Sequence, residues 1–130
     1  MSIAALIAWL VTAGGGFVLL GTWVAKGGTK RSHLPPAVLF GHFALAAAGL
    51  VVWIVYLVAD SRVLAWIAFI LLVPVAALGF AMLARWIPTY RTRATAEVAE
   101  RHFPVVVVGA HGLVAVATVV LVLLATLGVG

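Results

Sequence analysis

The sequence predicts an all-α, polytopic membrane protein: a four-transmembrane-helix bundle built from a duplicated helical hairpin. Three observations predict it: an extreme apolar composition, four long stretches without charge, and an internal repeat. The 130 residues are 66% hydrophobic and only 8% charged, and the mean hydropathy is +1.30. A water-soluble core of this size cannot hide that much apolar surface. The apolar stretches are Ile3 to Ala25, Leu34 to Ala59, Val63 to Ala84 and Phe103 to Leu127, and none contains Asp, Glu, Lys or Arg. Each exceeds the roughly 20 residues that span hydrocarbon, so each reads as one crossing within a single domain, residues 1–130. A transmembrane barrel is rejected, because its strands would alternate polar and apolar positions over about ten residues.

The first stretch is too long for a signal peptide, has no basic residue before it and lacks a small-residue cleavage site, so it is expected to remain in the mature protein. Its run Gly14-Gly15-Gly16 has no flanking lysine and lies in the bilayer, which favours close helix packing over a phosphate loop. The second stretch starts at two prolines, and the third carries Pro74, read as a kink. Trp9, Trp23, Trp53, Trp66 and Trp86 include expected interfacial anchors. Between the third and fourth stretches, Thr92 to His102 has helix-forming composition and mixed charge, which predicts a short helix leading to a break at Pro104.

Charge sets the orientation. Lys26, Lys30 and Arg31 lie in the first connection, Arg85, Arg91, Arg93 and Arg101 in the third, and Arg62 alone in the second. The positive-inside rule then puts loops 26–33 and 85–102 in the cytoplasm and both termini outside, as in a bacterial inner (cytoplasmic) membrane. The formal net charge of +5 is a topology signal for loops that meet anionic headgroups, and no nucleic-acid partner is expected. The bilayer is the partner that composition implies. The absence of cysteine excludes disulfides, thiolate metal sites, iron–sulfur clusters and covalent haem attachment.

The second and fourth stretches begin alike. One reads His33-Leu-Pro-Pro-Ala-Val-Leu-Phe-Gly41-His42 and the other His102-Phe-Pro-Val-Val-Val-Val-Gly109-Ala-His111. Both have His, an apolar residue and Pro, then a second His nine positions after the first. Ile7-Ala8-Trp9 resembles Ile67-Ala68-Phe69 more weakly, and Leu20-Gly21 aligns with Leu78-Gly79 only after a shift of register. The repeat units are about 1–59 and about 63–130. Each holds two crossings, so a pseudo-twofold axis along the membrane normal relates them.

That symmetry puts His42 and His111 at equal depth, about 10 Å along their helices from Pro35 and Pro104. An ionisable residue at such depth is a functional-site hypothesis by default and faces the bundle interior. Paired imidazoles on facing helices are a normal way to hold haem iron, so both are candidate metal ligands. The seam through His42 continues as Ala46, Gly49 and Trp53, and that through His111 as Ala115 and Thr118. Small residues there would leave room for a flat macrocycle, with Gly41, Gly109 and Gly112 allowing close approach beside it. Arg31 and Arg101, with Lys30, are placed by depth to meet haem propionates. His33 and His102 form a second matched pair at the membrane boundary; nine residues are two and a half turns, so in one continuous helix the two pairs would point to opposite faces, unless the prolines turn the outer pair back towards the axis.

Three other readings stay open. The histidines could bond helices together in a non-catalytic structural or assembly subunit; they could hold a bare metal or relay protons; or the chain could be a small transporter or channel, though it has no membrane carboxylate to bind a cation. The architecture and His42 and His111, with His33 and His102 as further members, resemble small four-helix b-type cytochromes and the haem-bearing membrane anchors of respiratory dehydrogenases. The resemblance implies haem b, electron transfer linked to quinone, and a redox partner subunit or homo-oligomer. It names no catalytic residue.

Overall fold

The computed structural model describes all 130 residues. It is all-helical, with four helices long and apolar enough to cross a membrane: α1 (Ser2–Ala25), α2 (Pro36–Ala59), α3 (Arg62–Arg91) and α4 (Val105–Thr126). A single 3-10 turn, η1 (Ala99–His102), precedes α4. α2 and α4 each start directly after a proline, Pro35 or Pro104, held in extended backbone. Proline suits that place because its fixed φ and missing N–H do no harm before the first helical turn. α2 turns into α3 through Asp60, whose left-handed φ of 52° a short polar side chain tolerates. α3 runs unbroken through Pro74 and continues past Ala84 through Pro88. Its 30 residues give a rod of about 45 Å, longer than the hydrocarbon layer.

Around the bundle, α1 packs chiefly on α4 and α2 chiefly on α3, α3 and α4 touch along part of their length, and α1 meets α2 sparsely. α2 and α4 therefore stand on one diagonal, without backbone approach. Both termini lie at one end, where Gly130 packs against Met1 and Gly128 against Arg62; we call this the termini end and the other the basic end.

Only 20 of the 130 residues are buried, so most apolar side chains face outward. Val58, Val106 and Leu113 are 85%, 77% and 74% exposed, an apolar surface of the kind that suits a lipid environment. The interior holds two separate apolar clusters. Ala5, Trp9, Trp53, Ala68, Leu72 and Val122 belong to the larger, towards the termini end, while Trp23, Leu34, Leu39 and Ala99 form the smaller at the basic end. His42 and His111 lie between the two.

Three expectations are corrected. Four of the five tryptophans are buried, and only Trp66 is exposed; they are core residues, not interfacial anchors. Three of these indole N–H groups find partners at the bundle ends: Trp53 donates to Ser2 O at 3.3 Å, Trp23 to Ser32 Oγ at 2.8 Å and Trp86 to Glu100 O at 3.0 Å, as buried indoles favour. Thr92 to His102 is not a helix but turns and extended chain that become helical only in η1. The segment is held from outside, since Ala99 N–H donates to Arg31 O at 3.0 Å and the Glu100 carboxylate is drawn into the protein. The odd-numbered helices also correspond in a different register from the weak sequence matches. Thr12, Gly16 and Trp23 of α1 occupy the places of Val75, Gly79 and Trp86 of α3, a constant interval of 63 residues.

Candidate functional site

The site is built from one diagonal pair of helices and braced by the other. His42 of α2 and His111 of α4 meet across the bundle with ring centroids 6.4 Å apart and planes at 71°. His42 Nδ1 donates to the carbonyl oxygen of Val75 on α3, and His111 Nδ1 to that of Thr12 on α1, both at 2.8 Å. A carbonyl oxygen can only accept, so Nδ1 carries the proton in each ring, and in the neutral imidazole Nε2 keeps its lone pair. Neither Nε2 has a hydrogen-bond partner, and neither is sealed off among the buried, unpaired atoms.

Glycine makes both hydrogen bonds possible. In a helix the residue four positions on lies over a given carbonyl, and four residues after Thr12 and Val75 come Gly16 and Gly79. A Cβ at Gly16 would sit 3.1 Å from His111 Cε1, and one at Gly79 3.2 Å from His42 Cε1. Gly15 receives the same ring at 3.4 Å from His111 Cβ. The glycine run of α1 is thus a packing feature, as expected, and what packs on it is the imidazole of α4. The sequence reading missed Gly15, Gly16 and Gly79 as site residues. The signal was available: a glycine recurs at the 63-residue interval that relates Trp23 to Trp86.

The predicted slot is mostly elsewhere. Gly49 is buried against the Trp9 ring, 3.0 Å from where its Cβ would be, so the indole already fills that space. Ala46 packs on the same core cluster. Gly41, Gly109 and Gly112 have nothing within 4 Å of a Cβ position and therefore bring no two elements close. Ala115 is half-buried on α4, and Thr118, buried, is 3.1 Å from Thr12 in a hydroxyl pair. Beside the histidines, Phe17 and Phe43 meet edge-on at 5.6 Å across the sparse α1–α2 seam.

His33 and His102 do not join the inner pair as metal ligands, nor do they pair with each other; no three of the His, Asp and Glu side chains gather where a metal ion would bind. His33 Nδ1 is 2.8 Å from Thr89 Oγ1, while His102 is exposed and accepts from Arg101 Nε at 3.2 Å. Residual desolvation, with Arg101 and Lys26 nearby, holds His102 below the ordinary histidine value. Arg31 is ion-paired with Glu97 at 3.5 Å on the surface, and Arg101 Nη1 donates to Arg93 O at 3.1 Å. Neither arginine touches the inner histidines.

Glu100 was singled out by no sequence pattern. It is 0% exposed, and its carboxylate accepts from Ser32 Oγ and from the His33 N–H, each at 2.6 Å. It clamps the two loops of the basic end together just outside the membrane-spanning segments. A lone Glu in a polar loop reads as solvated, and only the fold reveals that Ser32 and His33 close over it.

The arrangement offers two nitrogen lone pairs from opposite helices in an apolar interior, each imidazole fixed in tautomer and tilt by a backbone carbonyl. Comparison of the chain with family models, with curated proteins and with solved structures finds no match, so the site's chemistry rests on its own geometry.

Proposed function

We propose that the protein is a membrane-embedded b-type haem protein, with His42 and His111 as axial ligands, that carries single electrons within the bilayer. The observation that carries this reading is the pair of Nδ1–H···O=C bonds, with both Nε2 atoms left unpartnered on two rings whose centroids lie 6.4 Å apart. Such a bond on the far nitrogen is the usual brace of a metal-bound imidazole; it sets the tautomer and makes the ligand more basic. The rival reading, a structural or assembly subunit whose histidines only join helices, accounts for Nδ1 but leaves two lone pairs idle in an apolar interior.

Bound haem would supply one-electron redox chemistry, and the chain would contribute what surrounds it. His42 and His111 would hold the haem, Val75 O and Thr12 O would fix the ring tilt, and the two apolar clusters would keep water away. By the positive-inside rule we take the basic end to be cytoplasmic and both termini to be outside. The electron partner in this reading lies in or against the bilayer, a quinone being the small-molecule class that dissolves there.

The test is the absorption spectrum of detergent-purified protein from haem-replete cells. A Soret band with α and β bands on reduction is expected; a colourless, fully helical preparation would overturn the reading. Gly16→Ala and Gly79→Ala follow from the same geometry. The added methyl would shift the imidazole by a few tenths of an ångström and weaken its bond to the carbonyl, which would make it a poorer ligand for ferric iron. The midpoint potential is expected to rise by on the order of tens of millivolts in a redox titration. Thermal stability should move little, since the helix gain of alanine over glycine, about 1 kcal/mol, offsets a hydrogen bond of similar worth.

A further inference from the structure

At the basic end, the connection between α3 and η1 lies beside the start of the α1–α2 connection, and the two form an open groove of about 630 Å³. Lys26, Arg31, Arg101 and His102 line it, with Glu97 as the only carboxylate. Glu97 answers Arg31 alone, and the Lys26 ammonium has neither an ion pair nor a hydrogen bond to another side chain. Arg101 is aimed rather than neutralised: Nη1 is tied to a backbone carbonyl and Nε to His102 Nε2, which leaves its remaining N–H groups and full charge for another partner. Because His102 Nε2 accepts, its Nδ1 carries the proton and is a further donor.

We propose that this groove binds a phosphate-bearing anion. Three cations and one carboxylate line the groove, a net positive surface that favours an anion. Guanidinium forks and an ammonium match the oxygens of a phosphate group, and the volume suits a small headgroup. Depth narrows the source. Lys26 caps the end of α1 and His102 stands two residues before Pro104, so the groove lies at the edge of the hydrocarbon, where phospholipid phosphates reside. The inference does not depend on haem.

Purified full-length protein, in detergent, is offered dioleoylphosphatidylglycerol or dioleoylphosphatidylcholine, and retained lipid is counted by native mass spectrometry; inorganic phosphate is titrated separately by calorimetry. We expect at least tenfold preference for phosphatidylglycerol. K26Q/R101Q should abolish it, and K30Q/R91Q, which removes the same charge from exposed positions outside the groove, should keep it. Phosphate binding without lipid preference, lost in K26Q/R101Q alone, assigns the site to a soluble phosphate. Equal retention of both lipids with no phosphate heat overturns the proposal, as does equal loss in the two double variants, which would reduce it to general surface charge. Circular dichroism checks that each variant is folded; if K26Q/R101Q is not, K26Q alone replaces it.

Discussion

His42→Ala and His111→Ala are each expected to abolish the Soret band completely while the protein stays folded. The two effects separate because the imidazoles do different amounts of work for binding and for folding. Removing either ring would delete one of the two ligands proposed for haem, and no group of three or more His, Asp and Glu side chains offers another site. The structural loss is small by comparison. Val75 O and Thr12 O lie inside helices that keep their own ladders, so neither carbonyl is orphaned, and each variant forfeits one hydrogen bond of about 1 kcal/mol plus the packing of a half-buried ring. Helical content by circular dichroism should match the unsubstituted protein. His33→Ala and His102→Ala supply the contrast: both histidines lie at the exposed basic end, and the Soret band should survive each change. Retention of colour by both inner variants, or its loss in an outer one, would contradict the assignment of ligands.

The second large effect is expected at Glu100. Replacing it with alanine strips the acceptor from the Ser32 hydroxyl and from the His33 N–H, and a stranded buried donor costs about 1–3 kcal/mol. Trp23, which donates to the same Ser32 hydroxyl, loses its anchor as well. A destabilisation of about 2–4 kcal/mol is expected in equilibrium unfolding from detergent micelles, with loops 26–33 and 92–102 becoming protease-sensitive first. Glu100→Gln keeps one acceptor oxygen and removes the charge, and it should retain roughly half of the stability lost by alanine, because a buried carboxylate without a cationic partner carries its own desolvation cost. An unchanged unfolding midpoint in Glu100→Ala would show that the two loops hold together without the clamp.

The two assignments differ in how far the chain announces them. The inner histidines stand out because ionisable groups are rare in an apolar run, and the His-x-Pro starts of α2 and α4 put them in register. Gly16 and Gly79 could be reached only through α1 and α3, where the interval is 63 residues and not the 69 that separates His42 from His111. The difference arises because α3 runs further past Trp86 than α1 does past Trp23, and because the connection before α4 is longer than the one before α2, so a search at one interval misses half of the correspondence. Gly49 shows the opposite failure. It lies on the correct face of α2, yet the slot it opens is taken by Trp9, a residue forty positions away whose rotamer no local pattern encodes.

The sequence by itself determined the four crossings, their approximate limits and the two histidines in the interior. These follow from the energy of moving each residue and its own backbone from water into hydrocarbon, which is local and adds up along the chain. Which face of each helix turns inward was decided only by tertiary structure, as were the burial of four tryptophans, the carbonyls that hold the imidazoles and the clamp at Glu100. Helices that are apolar on every side carry no amphipathic stripe to set their rotation. The choice falls to van der Waals fit and to hydrogen bonds between residues far apart in sequence, and those exist only once the helices have met.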